Sequence, residues 1–146
     1  MHEVTHTLAF IVDASYTDNW TDSSGNAHST ITESVSWRGM TSTVLATPEV
    51  KSRGRTLYGC SNLTGVGLEM QGGLGTAGSH WEKRIAKEEY MVGDVAIDEP
   101  SYSVLTFALF EDTGWYEVNW EWTMPMNWGA GEGCSFHEDA CINNSE

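Results

Sequence analysis

The chain has 146 residues, enough for one domain with a core of its own, and 40% hydrophobic content with seven Trp argues against disorder throughout. Seven Lys and Arg stand against 21 Asp and Glu, and the formal net charge of −14 argues against nucleic acid or an anionic membrane surface as partner. Every basic residue lies between Arg38 and Lys87, so residues 88–146 form an acidic stretch, read as solvated surface, and no apolar run reaches transmembrane length.

The first ten residues organise the rest. His2 and His6 are four apart, which on a helix puts both imidazoles on one face, with Glu3 beside them. This H-E-x-x-H spacing suits zinc: two imidazole ligands, and a carboxylate able to take a proton from an activated water. Val4, Leu8, Ile11 and Val12 make an apolar stripe, predicting a buried helix that runs to about Val12 or Asp13. A catalytic zinc normally has three protein ligands and an open position, so a third ligand is needed from elsewhere. Met1 directly precedes the first histidine and no signal peptide is visible, so a truncated chain is expected.

Residues 14–47 are rich in Ser, Thr, Asn, Asp and Gly and are expected to form loops and short strands rather than a second core. Thr47-Pro48 suits a helix start, and a short helix to about Tyr58 follows, weakened by Gly54. In the glycine-rich run that leads to His80, Gly73, Gly75 and Gly78 have dinucleotide-loop spacing, but no strand precedes them and no Walker lysine follows. A loop needing left-handed backbone is the simpler expectation. Leu105, Ala108 and Leu109 predict a core-facing helix within residues 101–113, stopped by Gly114. Residues 115–122, with aromatics near period two, predict an extended segment.

The three cysteines do not form a metal pattern, although Cys134 and Cys141 bracket a short loop and could be bridged. With glycosylation acceptors at Asn19, Asn62 and Asn143, they point to a secretory route and an extracellular or cell-surface location. A calcium site around Asp94, Asp98 and Glu99 lacks ligands at alternating positions.

Spacing leaves three placements open for the third ligand. A compact metzincin motif would put Gly at 9 and His at 12, where this chain has Ala9 and Val12, with Asp13 one place out. Glu33 or Glu49 could come from a later helix, and His28, His80 or His137 from further along.

The surroundings of His80 carry a resemblance. Gly78-Ser79-His80-Trp81-Glu82-Lys83-Arg84, followed by Glu89-Tyr90-Met91-Val92-Gly93, resembles the signature of the leishmanolysin family of zinc metalloproteases, which are metzincins. Leu105-Thr106-Phe107-Ala108-Leu109-Phe110-Glu111-Asp112-Thr113-Gly114-Trp115-Tyr116 is similar to that family's helix end, Tyr58-Gly59-Cys60 to an upstream block, and residues 128–136 to a glycine- and cysteine-bearing stretch. Residues 1–10 and about 48–141 are covered; 14–47 look like a variable insertion.

The resemblance implies an α+β, zincin-like (metzincin-like), loop-rich fold: the C-terminal part of a catalytic domain, with a zinc helix at 1–13, the insertion at 14–47, and the third ligand, Met-turn, helix and tail in 48–146. It implies one Zn2+ per chain held by His2, His6 and His80, Glu3 as general base, and Met91 packed beneath the site. Ala9 replaces a glycine of the family, which implies strain at positive φ or a helix that runs on. The implied activity is endopeptidase, on peptide or protein substrates, with proteolysis and cell adhesion as processes and membrane association only through parts outside this chain. The rival expectation is an inactive secreted fragment or binding module that keeps a zinc site. Trp81, Trp115 and Trp128 are expected in core or rim packing, and His28 and His137 on the surface.

Overall fold

The β-branched and aromatic residues between 32 and 45 pair as a hairpin. In the computed structural model, which describes residues 1–11, 17–73, 75–94 and 99–142, strand β1 (Thr32–Trp37) runs antiparallel to β2 (Met40–Leu45). Arg38 and Gly39, at φ 55° and 72°, form the two-residue turn, whose left-handed pair matches the twist of the strands. A short β3 (Val66–Gly67) pairs antiparallel with the other edge of β2, giving the order β1-β2-β3.

Residues 14–47 thus form loops and short strands, as expected, and build no second core: Trp20, Trp37, Val44 and Leu45 all join the one core. Outward Ser and Thr alternate with inward residues, so a polar composition conceals the buried face of the pair.

Helix α1 (His2–Leu8) is followed, after the hairpin, by α2 (Pro48–Tyr58) and α3 (Val104–Asp112), and a four-residue α4 (Ser135–Glu138) lies near the end. Pro48 opens α2 as its missing N–H demands. Gly54 does not break that helix, because α2 lies so close to β3 that a Cβ there would sit 2.7 Å from Val66. The Asp112 carboxylate accepts from the amides of Glu49 and Val50 at 3.0 and 2.9 Å, so the end of α3 caps the start of α2. Ser103 caps α3 through Leu105 N–H, and Leu105, Ala108 and Leu109 are fully buried, as their spacing predicts.

Four readings do not hold. Helix α1 ends at Leu8 rather than near 13, and Ala9 takes φ −160° rather than a positive φ; Val12 and Asp13 lie outside the described residues. Val4 and Leu8 are 48% and 42% exposed, because α1 turns Thr5, not its apolar stripe, inward. Residues 120–122 form a 3₁₀ turn rather than extended chain, since the Asn119 side chain accepts from Glu121 N–H and bends the backbone locally. Cys134 bonds Cys60, not Cys141, which is exposed and free. The amides of Gly131 and Gly133 donate to Leu57 and Tyr58 carbonyls, which lays Cys134 beside Cys60 at the end of α2.

His137 is also misplaced by its polar neighbours in sequence. It is fully buried, 4.3 Å from the Tyr58 ring centroid and 5.3 Å from that of Trp37, with neither ring nitrogen hydrogen-bonded. Burial, then the charges of Arg84 and Arg38, push its pKa down to about 4. The unfolded chain binds this proton near the ordinary value of about 6.5, so stability is full above that pH and falls as pH drops towards about 4. The loss is on the order of 3 kcal/mol. Urea unfolding from pH 7 to 4 is expected to show this slope in the wild type, and His137→Phe, which keeps an aromatic ring without a proton site, should flatten it.

Candidate metal centre

His2 and His6 project from one face of α1, as a four-residue spacing dictates. His80 reaches them from a loop whose neck is tied by backbone: Glu69 N–H donates to His80 C=O at 2.8 Å, and Gly78 N–H to Glu69 C=O at 2.7 Å. Within it Gly72, Gly73, Gly75 and Gly78 all take φ between 67° and 99°, so the glycine-rich run is a left-handed loop that folds back on itself, as expected. Beyond the neck, Trp81 bridges Leu68 on one side and Val92 on the other, extending the edge of β3 into the 89–92 segment.

The three imidazoles converge. The Nε2 atoms of His2 and His80 are 2.9 Å apart, those of His6 and His80 3.1 Å, and those of His2 and His6 3.2 Å. Each Nδ1 faces a backbone carbonyl: Tyr90 for His2 at 2.8 Å, Phe10 for His6 at 2.9 Å, Thr76 for His80 at 3.0 Å. A carbonyl only accepts, so every Nδ1 carries a hydrogen and all three Nε2 lone pairs point at one another. Such a set needs a cation or protons among them. Two imidazoles on one tetrahedral zinc, at about 2.0–2.1 Å each, would have nitrogens about 3.3 Å apart, close to the spacing found. Burial lowers the His80 pKa, with the neighbouring histidines adding to it, which favours the neutral form that binds metal.

Glu3 stands at the exposed mouth of a cavity of about 300 Å³ lined by the three histidines, Thr76, Val92 and Asp94. Asp94 is ion-paired with Lys83. Met91 is fully buried two residues after Glu89, and its carbonyl accepts from Trp81 N–H.

The other candidates lie elsewhere. Glu33 pairs with Lys51, Glu49 with Arg53, His28 hydrogen-bonds to the Asp112 carbonyl, and His137 is in the aromatic core. Asp13 and Asp98 are outside the described residues. Among the described residues, Asp94 and Glu99 join no cluster of metal-ligating atoms. Trp81 is fully buried, but Trp115 and Trp128 are 45% and 39% exposed, at the rim. Sequence reasoning missed Tyr90, which holds α1 twice: its carbonyl takes His2 Nδ1, and its hydroxyl meets Thr5 Oγ1 at 2.6 Å. Main-chain acceptors leave no mark in residue type.

Comparison with known proteins decides the family. The leishmanolysin peptidase family model matches residues 1–145. The chain belongs to the leishmanolysin family. It is similar to a leishmanolysin-like peptidase of Drosophila pseudoobscura pseudoobscura, 45% identical over 98 residues, covering 67% of this chain and 14% of that protein. A leishmanolysin-like peptidase of Caenorhabditis elegans is 44% identical over 98 residues, covering 67% of this chain and 15% of the relative. Leishmanolysin of Leishmania donovani is 39% identical over 93 residues, covering 64% and 15%. The matched part is thus about one seventh of each relative's length.

In this leishmanolysin-family chain His80→Ala is expected to abolish tight binding of a first-row divalent metal, while His28→Ala leaves it intact. Metal content after equilibrium dialysis checks both; the reverse pattern would break the three-histidine assignment.

Proposed function

We propose that the chain carries the catalytic centre of a zinc-dependent endopeptidase, with a metzincin-like arrangement in which a long insertion separates the second and third histidines. The observation that carries this reading is the convergence of three Nε2 atoms, each backed by a main-chain acceptor, beside the open cavity and Glu3. Family membership supports it. Bound among these histidines, zinc would supply a Lewis acid that acidifies water and polarises the scissile carbonyl.

The chain's own residues do the rest. The Tyr90, Phe10 and Thr76 carbonyls fix each ring and raise its basicity, so His2, His6 and His80 offer Nε2 in one orientation. Glu3, adjacent to His2 and open to solvent, accepts the proton of the attacking water and returns it to the leaving amine. Met91, which is buried, is assigned to packing beneath the ligands rather than to metal binding. No protein nucleophile is needed. Peptide or protein chains are the substrates, and the Cys60–Cys134 disulfide supports a secretory, extracellular setting.

Glu3→Gln should keep one equivalent of zinc and lose about 10²–10⁴-fold in peptide cleavage. Zinc bound at one equivalent by the wild type, with no cleavage that depends on Glu3, would overturn the protease reading in favour of a non-catalytic metal module.

A further inference from the structure

Glu89 is a fully buried carboxylate, and among the described residues no Lys, Arg or His pairs with it. Burying such a group is costly unless its oxygens are filled by donors. They are filled here. Met91 N–H donates at 2.5 Å, Thr106 Oγ1 at 2.6 Å, Ser103 Oγ at 3.2 Å and Ser103 N–H at 3.4 Å. Burial still pushes the carboxyl up to about 7 against the pull of these donors, so the position remains an expensive one.

What the carboxylate joins gives it a purpose. Tyr90, the next residue, supplies the carbonyl that orients His2. Thr106 Oγ1, which donates to Glu89, accepts from Trp81 Nε1 at 2.8 Å, and Trp81 is the residue after His80. The Trp81 ring packs 4.9 Å from Phe10, whose carbonyl orients His6. Each histidine is therefore held by a segment tied, directly or through Trp81, to one buried carboxylate and thence to the first turn of α3.

We propose that Glu89 is the positioning residue of the metal centre, setting the three imidazoles in register by linking the 89–91 segment and Trp81 to Ser103 and Thr106 of α3. The proposal rests on the metal-site reading above. It makes a specific demand on chemistry: the position needs two acceptor oxygens. In Glu89→Gln either amide orientation sets an N–H against a backbone N–H, that of Met91 or that of Ser103. Thr106→Val instead removes one donor to Glu89 together with the acceptor of Trp81 Nε1, and leaves the Met91 and Ser103 donors in place.

The whole chain is compared as wild type, Glu89→Gln, Thr106→Val and Glu3→Gln. Zinc affinity is measured by competition with a chelator, the visible spectrum after cobalt(II) substitution reports ligand geometry, and melting of the metal-free protein reports stability. Glu89→Gln and Thr106→Val should each lose about 10–100-fold in zinc affinity and shift the cobalt bands at temperatures where the metal-free variants stay folded. Glu3→Gln should leave affinity near that of the wild type. Unchanged affinity and unchanged cobalt bands in both variants, with only a lower melting temperature, would overturn the positioning role alone. If Glu89→Gln does not fold, Thr106→Val decides by the same readouts. A wild type that binds no zinc would instead sink the metal reading, and this role with it.

Discussion

Three imidazole lone pairs directed at one point are the constraint on which the structure turns. Nε2 atoms 2.9–3.2 Å apart, all acceptors, repel unless a cation or protons sit among them. The fold must therefore hold the rings against that repulsion, and each ring has a main-chain acceptor, to which the Ser79 hydroxyl adds a contact at His80. The carbonyls of Tyr90, Phe10 and Thr76 come from three different segments, so no single movement releases all three rings.

Those segments are kept together by the route from the sheet to the site. Leu68, just past β3, bridges Trp81, and Trp81 bridges Val92, so the strand order is continued by single-residue contacts towards the histidines. The side of Trp81 facing α3 is hydrogen-bonded to Thr106, and the ring packs near Phe10. A glycine-rich loop can thus carry His80, because Trp81, immediately after it, is anchored in the core.

Much of this was legible in residue order, and what was not has a common cause. The pattern His2-Glu3-Val4-Thr5-His6 and the helices at 48–58 and 104–112 follow from spacing and caps that act over a few residues. Short strands are expected within 14–47 but not their pairing over 32–45, since outward Ser and Thr conceal the buried face. The disulfide partner of Cys134, the burial of His137 and the exposure of Val4 and Leu8 depend on which distant segment arrives alongside, and local pattern holds no record of that. Spacing alone could not choose among His28, His80 and His137 either. Only the residues around His80, through their family resemblance, favoured it.

The shortness of α1 shows how far the site depends on its surroundings. Seven residues make less than two turns of useful hydrogen bonding, below the length at which a helix persists in water. Its one buried side chain is Thr5, and both of its apolar residues, Val4 and Leu8, face outward, so core burial contributes little. What holds it is polar and peripheral: Thr5 to the Tyr90 hydroxyl, the His2 and His6 rings to backbone acceptors, and the Tyr116 hydroxyl to the Leu8 carbonyl at 3.0 Å. A cation shared with His80 would tie this helix to the loop across more than seventy residues of chain, so occupancy of the site and integrity of the helix are one equilibrium rather than two.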